Sequence, residues 1–165
     1  MDTDINLNIE VTISSSEACL LSAMMHNRDT EHLQAIATTL DAGDFESPIF
    51  AHIFTAMADL LSQSRPCDAA TVRSRLESQG INEALPADVI NSTVVGLLTL
   101  GAIALHVGEY ARQVVSASYR RQFAHMAEQL RYAAETAPED ELMNIMIEHG
   151  IGQRHAWNRY KNINL

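Results

Sequence analysis

Side-chain types and spacings in this 165-residue sequence argue against two common kinds of catalytic site. The only lysine, Lys161, is not part of the Gly-Lys-Ser/Thr segment with which a P-loop binds nucleotide phosphates and magnesium. None of the seven histidines stands in a His-Glu-x-x-His zinc motif or a Glu-x-x-His pair, and the nearest cluster, Glu148-His149 with His155, is interrupted by glycines. We therefore expect no P-loop ATPase activity in this chain, and neither a metal ion nor a cofactor bound to it.

The two cysteines and the serines also lack the surroundings of a nucleophile. Cys19 falls among Leu and Met in an amphipathic segment, which predicts a small buried side chain. Cys67 follows Arg65 in a loop, and a neighbouring guanidinium is expected to lower the pKa of its thiol, but no histidine-plus-amide context accompanies it. A Gly-x-Ser-x-Gly elbow does not occur. We expect a protein that is not an enzyme.

The charge distribution favours a protein partner over nucleic acid. The formal net charge is −10, and residues 1–102 carry all of it, with four basic against 14 acidic residues (4 − 14 = −10). A segment of this sign repels phosphate, so we expect no strong direct binding of nucleic acid. No apolar run reaches membrane-span length, the N-terminus lacks a secretory signal, and two cysteines form no disulfide framework. These features indicate a reduced, soluble, cytoplasmic protein.

The sequence predicts an all-α fold that begins with a small globule of about five helices. Seven Gly and four Pro are few for an all-β protein, and apolar residues recur at helical spacing. A flexible lead over residues 1–13 precedes a globular subdomain over residues 14–101. The predicted helices run from about Ser16 to Asn27, from a cap at Asp29 or Thr30 to Leu40, from Pro48 to Leu61, from a cap at Asp68 to Gly80, and from Pro86 to Gly101.

Residues 102–165 predict a long antiparallel helical hairpin that acts as a dimerisation arm. The segment 103–136 contains one glycine and no proline, enough for a helix of about 50 Å. Ala137-Pro138-Glu139-Asp140 turns the chain into a second helix, in which Gly150 and Gly152 predict a break because each costs about 1 kcal/mol relative to alanine. The first helix carries an apolar stripe with spacings of 4, 4, 3, 4 and 3, formed by Val115, Tyr119, Phe123, Met126, Leu130 and Ala133.

The sequence does not determine which surface packs against this stripe. A two-helix hairpin buries only one face against itself, so Tyr119, Phe123, Met126 and Leu130 contact either a second copy or this chain's own globule and returning helix. The same long helix carries arginines that nucleic acid would attract, but glutamates three or four residues away favour pairing within the helix. These residues are Arg112, Arg120, Arg121 and Arg131, with Glu109, Glu128 and Glu135.

Four short motifs occur in order between residues 14 and 121. They are Ser16-Glu17-Ala18 with Leu20-Leu21-Ser22-Ala23-Met24-Met25; Leu40, Asp44-Phe45, His52-Ile53-Phe54, Ala56 and Leu60; Pro66, Asp68, Thr71-Val72, Leu76 and Gly80; and Tyr110-Ala111, Val114 and Arg120-Arg121. Their order and spacing resemble the N-terminal domain of DnaB-type bacterial replicative DNA helicases. The sequence departs from that pattern at Cys19, where the family usually has an acidic residue. It also departs over residues 81–86, where the family has a glycine-rich segment.

The resemblance implies a non-catalytic collar domain that acts in DNA replication. In that family a helical globule precedes a helical hairpin, hairpins pair into homodimers, and three dimers form a collar on the hexameric helicase. The collar belongs to the primosome and binds the helicase-binding domain of primase, so primase, a helicase loader or another replication factor is the implied partner. ATP and magnesium would bind only in a C-terminal helicase domain absent from this sequence, whose parent protein would be an ATP-dependent DNA helicase.

The resemblance and the periodicity together select candidate site residues. The candidate dimer or hairpin interface is Tyr110, Val114, Tyr119, Phe123, Met126, Leu130, Leu142, Ile145 and Met146. The family-pattern residues expected to be structural are Glu17, Phe45, His52, Phe54, Asp68 and Thr71. Among them, Asp68 is expected to cap a helix, and His52 to make a hydrogen bond between helices in the core.

Two alternative functions follow from the same residues. One is a stand-alone regulator that mimics the collar and thereby caps a helicase. The other is a DNA-binding regulator in which Asp68–Leu76 serves as the recognition helix of a helix-turn-helix, with Arg73 and Arg75 facing DNA. The net charge of residues 1–102 opposes this last reading.

Overall fold

A computed structural model describes residues 15–80 and 86–163 of the chain. Within these ranges the secondary structure is helical, without strands, as the all-α prediction required. The α-helices are α1 (Ser16–His26), α2 (Thr30–Thr39), α3 (Pro48–Ser62), α4 (Ala69–Ser78), α5 (Ala87–Thr99), α6 (Val107–Thr136) and α7 (Leu142–Asn162), and short 3-10 turns cover Ala42–Asp44 and Ala104–His106. The predicted lead over 1–13 lies outside the described residues.

Side-chain caps fix where several of the helices begin. The hydroxyl of Ser15 accepts the N–H of Ala18 at 3.2 Å before α1, and a carboxylate oxygen of Asp29 accepts the N–H of His32 at 3.1 Å before α2. Such oxygens satisfy backbone donors that the first helical turn leaves without partners. Pro48 is the first residue of α3, where its missing N–H costs nothing. These starts are the predicted ones.

Two glycines end helices as predicted. Gly80 follows α4 with a φ of +89°, and Gly101 follows α5 with a φ of +70°. A side chain with a Cβ is strained in this left-handed region, whereas glycine adopts it freely. The chain therefore leaves both helices at the positions where glycine occurs.

The chain divides into two compact units within α6, one ending at Val114 and the other comprising Val115–Asn164. The predicted boundary between globule and hairpin lies earlier, after residue 101. In the first unit, large apolar side chains of α1, α3 and the shorter helices form one core, in which the ring centroids of Phe45 and Phe54 are 4.9 Å apart. The largest fully buried side chains are Phe50, Phe54, Leu20, Leu21, Met24, Ile36, Ile53, Met57, Leu60, Leu61, Leu76 and Leu97.

The second unit is a helical hairpin made of the remainder of α6, a short connection over 137–141, and α7. The predicted break at Gly150 and Gly152 was wrong, because α7 continues through both glycines. Their cost of about 1 kcal/mol each relative to alanine is a preference that packing overrides. Beyond them, Ala156 is buried and Trp157 contacts α6, so the part of α7 that follows the glycines is also packed in the hairpin.

None of the described helices is by itself long and apolar enough to cross a membrane. Only a bent pair, Ala87–Thr99 with Ala104–Thr136, meets the length and composition requirement when its two members are taken together.

Candidate interaction surface of the helical hairpin

Neither cysteine has the environment that the sequence suggested. The thiol of Cys67 is buried and donates to the carbonyl oxygen of Met24 at 3.5 Å. Burial, with a smaller contribution from the negative charge of Asp68, raises the pKa of Cys67 to about 11, so the predicted lowering by Arg65 was wrong. Cys19 is partly exposed, not fully buried, and burial also raises its pKa. Neither thiol is activated for catalysis.

Glu17 joins two elements of the first unit. Its side chain is 8% exposed, and its carboxylate oxygens accept the N–H of Glu46 at 2.7 Å and the N–H of Ser47 at 3.3 Å. These two donors immediately precede α3, where the partial positive charge of the helix N-terminus favours an anion. Glu17 therefore fastens α1 to the beginning of α3, which is a structural role.

Asp68 caps α4 as predicted. One carboxylate oxygen accepts the N–H groups of Ala70 and Thr71 at 3.0 and 3.2 Å, and the other accepts the hydroxyl of Thr71 at 2.7 Å. The hydroxyl and backbone donors favour the charged form and lower the pKa of Asp68. His52 is half-buried, and the predicted core hydrogen bond of its ring is absent among the described residues.

The arginines of α4 do not present free charge. Arg73 pairs with Glu77 one turn later at 3.0 Å, and Arg75 pairs with Asp59 of α3. A recognition helix needs guanidinium groups that face outward toward bases or phosphates. Because both positive charges are matched within the first unit, α4 is poorly suited to that task.

Part of the predicted apolar stripe packs inside the hairpin. In the second unit Ser118, Ala133 and Ala156 are buried, and half-buried side chains accompany them along both helices. The half-buried candidates are Tyr119, Met126, Leu130, Leu142 and Ile145. Of the remaining candidates, Tyr110 and Val114 belong to the first unit, and Val114 is fully buried there.

A second set of apolar side chains in the hairpin faces solvent. Phe123 of α6 is 51% exposed, and four side chains of α7 are between 49% and 59% exposed. These four are Met143, Met146, Ile147 and Ile151. Their spacing of three or four residues places them along one side of α7. Sequence reasoning selected only Phe123 and Met146 from this set, although the spacing of the others was a usable signal.

Three aromatic rings cluster at the end of the hairpin opposite its connecting turn. Tyr119 stacks on Tyr160 with ring centroids 5.4 Å apart and an interplanar angle of 16°, and its centroid is 5.7 Å from that of Trp157. The ammonium of Lys161 lies 5.5 Å from the Trp157 ring centroid, a distance suited to a cation–π contact. The rings border an open groove of about 480 Å³, with the lining Ser116, Tyr119, Arg120, Phe123, Ala124, Trp157 and Tyr160.

The predicted pairing of arginines with glutamates on α6 is seen for Arg112 and Arg131. Arg112 pairs with Glu109 at 3.4 Å, and Arg131 pairs with Glu128 at 2.6 Å and with Glu135 at 2.7 Å. Arg120 instead lines the aromatic groove, and no described carboxylate forms a salt bridge with it. One cation therefore stands unpaired beside an aromatic surface.

Comparison with known proteins gives a family match, matches to solved structures and one negative result. The family described as the DnaB-like helicase N terminal domain matches residues 11–116. The crystal structure of the N-terminal domain of DnaB helicase from Mycobacterium tuberculosis is similar, with a TM-score of 0.69 and 20% sequence identity, over 83% of this chain and 94% of that one. No curated protein matches the chain.

The family match covers well over half of the sequence and ends at Ser116, close to where the second unit begins. The structural match agrees in fold with the helical architecture described above. The domain named in both matches is the non-catalytic part of the helicase. The chain belongs to the family of DnaB-like helicase N-terminal domains.

Proposed function

We propose that this chain is an assembly and docking module of a bacterial replicative helicase, acting in the cytoplasm during DNA replication. Its hairpin would pair with the hairpin of a second copy, and the resulting dimers would assemble further into a collar. The observation that carries this proposal is the exposed apolar side of α7 in the hairpin, formed by Met143, Met146, Ile147 and Ile151. The family membership supports the helicase context.

The exposed apolar side argues for a second copy because residues 15–80 and 86–163 of this chain leave it uncovered. Large apolar side chains scattered singly over a surface need no partner, but a contiguous row on one side of a helix is typical of an interface. Two identical rows related by a two-fold axis bury each other, since an isologous contact uses the same patch twice. Self-association would therefore remove from water the apolar side chains that a single hairpin leaves exposed.

The acidic charge of the chain supports a protein partner in addition to self-association. Residues 1–102 carry the whole net charge of −10, which attracts a basic protein surface and repels nucleic acid. We propose the helicase-binding domain of primase as that partner, with a helicase loader as the second candidate. A collar-mimicking regulator would use the same surfaces and differs only in lacking the helicase domain.

The helix-turn-helix alternative is less favoured by the contacts of α4. Its two arginines are both held in ion pairs, Arg73 with Glu77 and Arg75 with Asp59. An electrophoretic mobility shift at low salt tests this directly, because a phosphate-binding protein gains affinity steeply as salt falls. We expect no shifted band for this chain.

Sedimentation velocity over a range of protein concentrations tests the self-association. We expect wild type to form dimers or larger species, and Met146→Asp/Ile147→Asp to sediment as a monomer at the same concentrations. Val95→Asp is the matched control, because Val95 is 58% exposed on α5 of the first unit and outside the proposed contact. A monomeric wild type, or a double variant that associates like the control, would contradict the proposal.

A binding titration with the isolated C-terminal domain of primase tests the docking. We expect saturable binding by the wild-type chain that weakens as salt rises, because exposed charges are screened within about 8 Å at physiological ionic strength. Absence of binding, with self-association intact, would restrict the proposed function to assembly.

A further inference from the structure

We infer that the groove of about 480 Å³ at the aromatic end of the hairpin is a binding site for an acidic peptide that carries aromatic or aliphatic side chains. The site lies wholly within the second unit and is distinct from the row Met143–Ile151 proposed for self-association. Three observations lead to this ligand class: the chemistry of the groove floor, the charges on its rim, and the distribution of carboxylates along the hairpin.

The floor of the groove is aromatic and partly open. Trp157 is 41% exposed and Tyr160 is 38% exposed, and Phe123 borders them from α6. Mutual packing of Tyr119, Trp157 and Tyr160 holds these rings in place, so little side-chain freedom remains to be lost when a ligand binds. Such a surface binds apolar or aromatic side chains by burial and by ring contacts.

The rim of the groove is cationic. Arg120 lines it from α6, and on α7 Arg154 precedes Trp157 by three residues while Lys161 follows it by four. At these spacings, side chains of a helix lie on the same side as the ring between them. Among the described carboxylates none forms a salt bridge with any of these three cations. The rim therefore offers positive charge to a ligand.

The sequence on either side of the groove contains no acidic residue that could pair with these cations. The segments 115–127 and 149–163 carry five basic residues and no Asp or Glu, whereas 128–148 carries six acidic residues against one arginine. The hairpin is thus basic at its aromatic end and acidic at its turn. An acidic ligand gains from this local field although the whole chain is acidic, because screening limits charge effects to about 8 Å at physiological salt.

A peptide fits these features better than single-stranded nucleic acid does. Stacking of bases needs open ring faces, but here Tyr119 and Tyr160 stack on each other and Lys161 covers one side of Trp157. The net charge of −10 also raises the cost of approach for a long polyanion more than for a short acidic segment. Carboxylates on the rim with apolar side chains on the floor satisfy both parts of the site.

The sole tryptophan of the chain, Trp157, reports on the groove directly. The probe is a short synthetic peptide that alternates Glu with Phe and Leu, titrated into the full chain while Trp157 fluorescence is recorded. We expect a saturable change that weakens with salt, and no change with the matched peptide in which Gln replaces Glu. Anisotropy of a dye-labelled copy of the peptide gives a second readout that does not depend on the tryptophan.

Charge-reversal variants locate the site. Arg120→Glu and Arg154→Glu are each expected to weaken peptide binding about fivefold, the upper effect for one exposed charge pair. Arg131→Glu is the matched control on α6, since Arg131 pairs with Glu128 and Glu135 and lies outside the groove. Circular dichroism of each variant establishes that helix content is unchanged.

Three results would overturn the inference: equal binding of the Glu and Gln peptides, unchanged binding by Arg120→Glu and Arg154→Glu, or tighter binding of an oligothymidylate than of the acidic peptide. A change in Trp157 fluorescence with protein concentration alone would also overturn it, by showing that a second copy fills the groove. Because peptide binding does not require dimers, its failure and the failure of self-association are separate outcomes.

Discussion

At the scale of single residues, two family-pattern side chains of the first unit, Glu17 and Asp68, make hydrogen bonds that hold helices in place. Glu17 accepts two backbone N–H groups before α3, and Asp68 accepts two at the start of α4. The sequence predicted the cap at Asp68 because a cap is local, reaching only three residues. It did not predict the partners of Glu17, which lie 29 and 30 residues away and depend on tertiary packing.

Removal of the Glu17 carboxylate is expected to destabilise the first unit. Glu17→Ala leaves the part-buried N–H groups of Glu46 and Ser47 without their carboxylate acceptor, which costs about 1 kcal/mol of unfolding free energy. Urea unfolding followed by circular dichroism measures it. Glu46→Ala is the control, because the Glu46 side chain is exposed; an equal loss in both variants would assign the effect to charge alone.

The capping carboxylate of Asp68 should contribute stability that depends on pH. Its pKa is lowered in the folded state, so the contribution is fully present above the ordinary carboxyl pKa of about 3.9 and is lost as pH falls through the lower folded value. Asp68→Ala is expected to lose about 1 kcal/mol at neutral pH. Asp68→Asn keeps the cap, so it should lose less of the free energy of unfolding. It should also make that free energy fall less steeply at acidic pH than in wild type, and a steeper fall would refute this assignment.

The thiol of Cys67 should react slowly with alkylating reagents. With a pKa raised to about 11, only about one molecule in a thousand is thiolate at pH 8. Iodoacetamide labelling read by peptide mass spectrometry should therefore modify Cys19, which is partly exposed, well before Cys67. Full denaturation should abolish the difference, and faster labelling of Cys67 in the native protein would contradict its described burial.

At the scale of helices, local signals predicted the ends well and the continuity of α7 poorly. The signals that begin and end helices act on the backbone of a single turn, so the adjacent residues are enough to predict them. They are the side-chain caps, Pro48, Gly80 and Gly101. The glycines of α7 carry the same local penalty, but contacts made elsewhere in the hairpin decide whether the helix continues. Sequence alone did not contain the positions of those contacts.

Gly152→Ala should stabilise α7. A Cβ built at Gly152 meets nothing within 4 Å, and alanine is favoured over glycine in a helix by about 1 kcal/mol. We expect the free energy of unfolding to rise by about that amount in urea titrations. A decrease would show that the glycine relieves a contact, such as one with a second copy.

At the scale of the whole molecule, the helical globule and the hairpin were predictable, while the surfaces of the hairpin were only partly so. The apolar stripe of α6 was read as one seam, but its members divide between packing inside the hairpin, as for Ala133, and exposure, as for Phe123. The aromatic cluster of Tyr119, Trp157 and Tyr160 was not anticipated as a site, because it forms only when the antiparallel pairing brings α7 beside α6.

Hydrogen–deuterium exchange at two protein concentrations tests most directly whether a second copy covers the exposed side of the hairpin. Raising the concentration through the association range should slow exchange of the backbone amides over residues 143–151 of α7, while α3 exchanges at an unchanged rate. Equal exchange of residues 143–151 at low and high concentration would contradict self-association through this side of the hairpin.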